Sequence, residues 1–385
     1  MSRSESYFAT CPRGLENVLA TELEPLGATD IAITEGGVGF QGDAQIAYRA
    51  NLHSRVASRV LWSVFSGGYR NEDDIYHALR AFDWDRCFDV ERTLRVNVSA
   101  IRSPLKSLDF LTLRIKDAVC DRFRDATGKR PNVDTASPDV RIHAFLTTGE
   151  FTVYLDSSGE ALFKRGYRSD ASDAPLRENL AAGIVKLSGW TAEQALLDPM
   201  CGGATLLIEA AHMALGVPPG ANREFGFQKL KNYDPKLWKS VKDEAHPGHA
   251  PGALRLFGSD RSARALESAR RNLGGAGLAE AVHLAQSDVL AVTPPAHSGV
   301  LVMNPPYGVR TEDRDRLAEF YPRLGDALKQ RFAGWHAYIF TSDLRLPKLI
   351  GLSPSKRTPL FNGALECRLY EFRIVAGSMR KKREE

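Results

Sequence analysis

Four side chains in the carboxyl-terminal half have the types and positions to bind a charged ligand: Asp198, Asp260, Asp288 and Asn304. Each closes a segment that reads as a strand: Leu196-Leu197 before Asp198, Leu254 to Ser259 before Asp260, Val282 to Ser287 before Asp288, and the apolar run Gly299-Val-Leu-Val-Met303 before Asn304. The last reads as a buried strand, and open α/β sheets bind ligands beyond the carboxyl ends of their strands. Asn304 opens the tetrapeptide Asn304-Pro305-Pro306-Tyr307. Neither proline offers an N–H, so the ladder must stop there, leaving a polar residue and an aromatic ring at a strand end. An acid after the first strand can accept hydrogen bonds from a positively charged amino group. The acid ending the second strand stands where ribose hydroxyls are bound, and Asp288 is placed to read an adenine amino group. Any one of these acids alone reads as a cap or turn residue. Three in succession, then an asparagine, describe a cleft for an adenosine that carries a cation.

The turn after the first of these strands is Asp198-Pro-Met-Cys201-Gly202-Gly203-Ala204-Thr205. Glycine there admits a ligand close to the backbone, and the amino terminus of the following helix favours electronegative groups. The turn lacks the Gly-x-Gly-x-x-Gly pattern of a dinucleotide site. The candidate cofactor-binding residues are therefore Asp198, Cys201, Gly202, Gly203, Thr205, Asp260, Asp288 and Asn304.

These strands alternate with helices expected over Thr205 to Leu215, Ala263 to Leu273 and Leu317 to Phe332, with a further strand over His336 to Thr341. That order predicts a doubly wound, mostly parallel sheet. Lys356 to Gly363 and Leu365 to Ile374 read as an antiparallel hairpin closing one edge. Pro175 is expected to open a helix at its first turn, and the composition becomes Ala-rich nearby, so the main domain boundary falls near residues 157–175. Between Gly216 and Gly252 lies an insertion rich in Pro, Gly, Lys and aromatics, readable as a lid, a substrate flap or a decoration.

The first half has a different, mixed character. A strand at Tyr7 to Cys11, a helix carrying Leu15, Leu19 and Leu23, and a hairpin around Gly36-Gly37 predict a small β-α-β-β module, with Asp43 capping a second helix. A helix over Leu108 to Arg124 follows a strand at Leu94 to Ser99. It and its flanks carry Lys106, Arg114, Lys116, Arg122, Arg124, Lys129 and Arg130 against Asp109, Asp117, Asp121 and Asp125. This is either a polyanion-binding face or a solvated helix with ion pairs along it. Residues 1–170 hold 22 Lys/Arg against 24 Asp/Glu, and the rest holds 29 against 23. Any polyanion-binding face in the first half must therefore arise from clustering, not from net charge.

Five scattered cysteines with no paired spacing argue against a zinc site or a disulfide framework. No signal-like segment and no run of eighteen apolar residues occurs, so a cytoplasmic protein with no membrane span and no metal is expected.

Taken together, Phe163-Lys-Arg-Gly-Tyr-Arg168, Pro175 to Ala182, Leu197-Asp-Pro-Met-Cys-Gly202, Asn304-Pro-Pro-Tyr-Gly308 and Pro359 to Leu369 carry a family resemblance. The chain resembles the class I S-adenosylmethionine-dependent methyltransferases with the Asn-Pro-Pro-Tyr signature. More closely, it is similar to the THUMP-domain RNA guanine-N2 methyltransferases that act on 23S ribosomal RNA. The resemblance implies a ferredoxin-like module at 1–55, a THUMP RNA-binding domain at 56–160, and a Rossmann-like methyltransferase domain at 161–385 with the insertion 216–252. It also implies a seven-stranded sheet and S-adenosyl-L-methionine as cofactor. Asn304, Pro305 and Tyr307 would be catalytic. Tyr307, Lys116, Arg122, Arg124, Lys129, Arg130, Arg165 and Arg168 would contact the RNA. A tRNA guanine, an adenine N6 or a non-catalytic RNA-binding role remain alternatives. The family usually reads Cys-Gly-Ser-Gly-Thr in the cofactor loop, so Ala204 stands where a glycine is expected. Its Cβ is expected to crowd the methionine moiety or to bar a positive φ, with Gly203 restoring some freedom.

Overall fold

The computed structural model describes residues 4–168, 176–245, 253–306 and 311–376, without the side chains of 311–314. The first part of the chain runs β1 (Glu5–Thr10), α1 (Glu16–Leu23), β2 (Thr29–Thr34), β3 (Gly37–Gly42), α2 (Ala44–His53), β4 (Arg59–Gly68), α3 (Glu72–Ala81), β5 (Leu94–Ala100), α4 (Leu108–Thr127), β6 (Val140–Leu146) and β7 (Glu150–Asp156). It continues with α5 (Glu178–Leu187), β8 (Ala195–Asp198), α6 (Thr205–Ala214), α7 (Pro235–Glu244), β9 (Leu256–Asp260), α8 (Ala263–Gly275), β10 (Val282–Gln286) and β11 (Gly299–Met303). The last elements are α9 (Thr311–Arg331), β12 (Trp335–Thr341), α10 (Leu346–Leu349), β13 (Lys356–Asn362) and β14 (Leu365–Arg373). The helix start expected at Pro175 lies outside the described residues.

Met1–Cys11, Leu19–Lys164 and Gly220–Ala245 form one compact unit. Its strands make a single sheet in the order β2-β3-β1-β4-β7-β6-β5. The ten-residue β4 pairs with β1 through Tyr7↔Trp62 and with β7 through Leu61↔Asp156. One strand is thereby shared between the small module and the rest, so no break in the sheet marks residue 55. The expected cap is present, with Asp43 Oδ1 accepting from the Ile46 N–H at 3.1 Å.

The aromatic residues of the insertion are core of this unit. Phe225 and Phe227 stack at 5.2 Å, Tyr48 lies 4.3 Å from Phe227, and Trp238 meets all three rings edge-on. The Asp234 N–H donates to Tyr48 Oη at 3.0 Å, and the Gly220 N–H donates to the Leu52 carbonyl at 3.0 Å. Rings of this size are buried because each removes on the order of 150–250 Å² from water. From Gly220 to Ala245 the stretch is packed as part of this unit.

Pro12–Val18, Arg165–Pro219 and His246–Glu385 form the second unit. Its sheet runs β10-β9-β8-β11-β12-β14-β13, parallel from β10 to β12, with β14 antiparallel to both β12 and β13. This is the doubly wound sheet with an antiparallel edge hairpin that the sequence predicts. Leu197, Leu301, Met303, Tyr321, Leu324, Trp335 and Phe372 fill the core on one face. The Pro12–Val18 segment belongs here because Arg13 lies 4.3 Å over the Phe361 ring and its carbonyl accepts the Phe361 N–H at 3.2 Å.

Candidate active site

The order of the parallel strands sets out the candidate residues in a row. β8 ends on Asp198, β9 on Asp260, and Asn304 directly follows β11. β10 ends at Gln286, so Asp288 stands two residues past the strand and not on it. With neighbours about 4.8 Å apart, four strand ends span roughly 15 Å. The chain reverses its winding between β8 and β11, the switch point at which open sheets leave a crevice. Asp198 and Asn304 flank that crevice.

Asp198 is buried, only 2% exposed, and its Oδ1 accepts the Met200 N–H at 3.2 Å. Burial, reinforced by the negative charge of Asp260, pushes its carboxyl up to about 8, against the one opposing hydrogen bond from Met200. A buried acid in that condition gains from a cation brought beside it. Asp260 is held in a fixed orientation, with Oδ2 accepting the Gly202 N–H at 3.1 Å and Oδ1 the Ser262 N–H at 2.9 Å. Asp288 Oδ1 accepts the Leu290 N–H at 2.8 Å.

The turn between β8 and α6 is open on one side and tied on the other. Gly202 has φ +51°, and a Cβ built on it would meet nothing within 4 Å. Gly203 is tied, its carbonyl accepting from Asn272 Nδ2 at 2.9 Å, and a Cβ there would press against that amide. The Cys201 N–H donates to the Ser259 carbonyl at 2.9 Å. Its thiol is pushed up, first by burial and then by Asp198 and Asp260, so it stays protonated and serves packing. Ala204 adopts φ +62° and ψ +24° at zero exposure, with its N–H donating to the Cys201 carbonyl at 2.7 Å. The Cβ therefore does not bar the left-handed conformation. It is accepted at a cost of roughly 1–2 kcal/mol because the turn fixes the backbone there.

Asn304 Oδ1 is buried and finds no hydrogen-bond partner among the described residues. Pro305 is buried and Pro306 exposed, while Tyr307 lies outside the described residues.

Two residues expected at the RNA are inside the domain instead. Arg165 Nε pairs with Glu209 Oε1 at 3.3 Å, the two side chains being 4% and 1% exposed. Arg168 Nε lies 3.1 Å from Glu178 Oε1, and its Nη2 donates to Thr205 Oγ1 and to the Leu176 carbonyl, both at 3.0 Å. These arginines fasten the connector to α5 and α6, and Thr205 spends its hydroxyl on Arg168. A basic stretch beside aromatics looks the same in sequence whether its partners are phosphates or buried acids.

In the first unit, each cation expected at the RNA has an acid. Lys116 pairs with Asp117 at 2.8 Å, Arg122 with Asp83, Arg124 with Asp121 at 3.1 Å, Lys129 with Glu91 at 3.3 Å and Arg130 with Asp117 at 3.1 Å. That is an ion-paired surface, not a free basic face. Sequence reasoning also missed Asn272. Its signal was present, because it stands with Leu266, Ala269 and Leu273 on the buried face of α8. A polar residue on an apolar helix face is there to reach something.

Residues 165–371, more than half of the chain, match the RMKL-like methyltransferase domain. The chain belongs to the RMKL-like methyltransferase family. Residues 69–156 of this RMKL-like methyltransferase match the THUMP domain, and residues 6–61 match the RlmL ferredoxin-like domain. It is 38% identical over 382 residues to the ribosomal RNA large subunit methyltransferase K/L of Shewanella frigidimarina (strain NCIMB 400), covering 98% of this chain and 54% of that protein. The chain thus spans about half the length of such curated relatives. A Synechocystis sp. protein named as an RNA methyltransferase, slr0064, is 38% identical over 96% of both chains. The crystal structure of SMU.472 complexed with SAH superposes with a TM-score of 0.88 at 29% identity, covering 98% of this chain and all of that one.

Proposed function

We propose that this RMKL-like methyltransferase transfers a methyl group from S-adenosylmethionine to an exocyclic amine of RNA, namely N2 of a guanine in 23S ribosomal RNA. The observation that carries the reading is Asn304 Oδ1, a buried acceptor without a partner at the strand end beside Asp198. Leaving such an atom unpaired costs about 1–3 kcal/mol, a cost that a donor arriving with the substrate removes. Relatives named for large-subunit ribosomal RNA support that RNA over tRNA as the substrate.

The residues present fit the cofactor. Gly202 leaves its face of the turn clear, Asp198 is a buried acid that a cation would ionise, and Asp260 is oriented for ribose hydroxyls. When bound, the cofactor supplies a sulfonium methyl that is already electrophilic. The protein's remaining task is to position an amine and free its lone pair. In guanine that lone pair is delocalised into the ring. Asn304 Oδ1 and the Pro305 carbonyl accept the two amine hydrogens and draw the nitrogen toward a tetrahedral shape. Tyr307 stacks on a base that has left its helix. The proton is lost after transfer, when it is acidic, so no strong base is required. With ribosomal RNA as substrate, the reaction belongs to the cytoplasm.

The deciding experiment is mass-spectrometric mapping of modified guanines in ribosomal and transfer RNA from cells with and without this gene. Loss of one N2-methylguanine from 23S RNA is expected. Loss from tRNA alone, or loss of a methyladenine, would overturn the substrate.

A further inference from the structure

We infer that Asn272 is a positioning residue for the cofactor, an inference that rests on the cofactor-site reading above. Its amide holds the peptide between Gly203 and Ala204 in the orientation that keeps the turn after β8 ready for the ligand. Three successive residues of that turn are tied to β9 and α8. The Cys201 N–H donates to the Ser259 carbonyl, the Gly202 N–H donates to Asp260 Oδ2, and the Gly203 carbonyl accepts from Asn272 Nδ2. The first two ties anchor amides. The third fixes a carbonyl, and so decides which way the next peptide faces. With that carbonyl turned to α8, the Ala204 N–H points back to the Cys201 carbonyl at 2.7 Å and Ala204 takes φ +62°.

A planar peptide turns about the ψ before it and the φ after it together. Turning this one over would carry Ala204 to roughly −120°, out of the left-handed region, and relieve its strain. Extended backbone is also the ordinary state of the residue that precedes a helix, as Ala204 precedes α6. Local preference thus favours the turned-over peptide, and the bonds to Cys201 and Asn272 oppose it. The Asn272 bond is the one that a side-chain substitution can remove. Asparagine is a costly residue at this place in α8. It is buried beside Leu266, Ala269 and Leu273, and its Oδ1 has no hydrogen-bond partner among the described residues. A leucine of the same size would be buried as well and leave no atom unpaired. The amide is explained by what its Nδ2 holds, not by packing.

The test titrates the full chain with S-adenosylhomocysteine by calorimetry and compares wild type with Asn272→Leu and Asn272→Ala. Both variants should bind about five- to thirtyfold more weakly, the population lost when a left-handed alanine is no longer held. Asn272→Leu should keep the wild-type urea midpoint. In an Ala204→Gly background, Asn272→Leu should weaken binding by less than about threefold, because glycine takes the left-handed form without strain. In methyl transfer, Asn272→Leu should raise KM for S-adenosylmethionine and leave kcat at saturation unchanged. In the ligand-free protein, the Ala204 amide should exchange its hydrogen faster in Asn272→Leu than in wild type. Wild-type affinity and wild-type exchange in Asn272→Leu would overturn the positioning role. So would an equal loss of affinity in the two backgrounds, or a fall in the urea midpoint of both Asn272 variants. Absence of binding in the wild type would overturn the underlying cofactor-site reading instead.

Discussion

The side chain of Asp260 accepts the backbone N–H of Gly202 at 3.1 Å, joining the end of β9 to the turn that follows β8. The bond brings two acids into one electrostatic neighbourhood, since the charge of Asp260 helps to raise the carboxyl of Asp198.

Asn304→Ala should lower single-turnover methyl transfer by about a hundred-fold, the usual effect of removing a positioned polar group from a reacting centre. Affinity for S-adenosylhomocysteine, measured by calorimetry, should stay within about twofold. Wild-type turnover in this protein would remove Asn304 from the reaction.

Asp198 gives a pH signature. Its carboxyl is raised from 3.8 to about 8, so the protonated form is favoured by folding. That contribution to stability is complete below the unfolded value near 4 and is lost as pH rises through about 8. The urea midpoint of the ligand-free protein should therefore fall between pH 5 and 8, and Asp198→Asn should flatten that fall. A cationic ligand reverses the preference, so S-adenosylmethionine binding below pH 8 should release a proton. Calorimetry in buffers of different ionisation enthalpy reads that release directly.

Ala204 permits a test of strain. Glycine at φ +62° relieves roughly 1–2 kcal/mol, while the lost buried methyl costs about 0.8 kcal/mol. Ala204→Gly should thus alter stability by less than about 1 kcal/mol. Ala204→Val, β-branched in the left-handed region, should destabilise by more than about 2 kcal/mol in urea unfolding.

The buried and surface arginines should behave differently. Arg165→Ala leaves Glu209 buried without its partner and should cost about 3–5 kcal/mol. Lys129→Ala breaks an exposed pair with Glu91 and should cost less than about 1 kcal/mol. Equal urea midpoints for the two variants would contradict the structural role assigned to Arg165.

The row of strand ends at the candidate site was legible in the residues because strand ends are written locally. An apolar run followed by Asp198, Asp260 or Asn304-Pro-Pro states where a parallel strand stops, and parallel strands stop on one side. Asp288 shows the limit, since strand pairing ended at Gln286 and left it two residues beyond. The cap at Asp43 was equally local, set by one side-chain oxygen and the next turn's N–H group.

Partners distant in the chain were decided only by the tertiary structure. Arg165 met Glu209 and Arg168 met Glu178, so a connector that reads as phosphate-binding became an internal fastening. The aromatics from Phe225 to Trp238 found Tyr48 and closed the core of the first unit, which no local pattern could indicate. Ala204 entered the left-handed region because the turn around it is fixed on both sides, by Ser259 through Cys201 and by Asn272 through Gly203. The sequence by itself determined the row of strand ends and the chemistry they can hold, because periodicity and chain-breaking act within a few residues. Which charges are spent inside the fold and which remain for a ligand depends on partners outside the local turn, ten residues away for Arg168 with Glu178 and forty-four for Arg165 with Glu209.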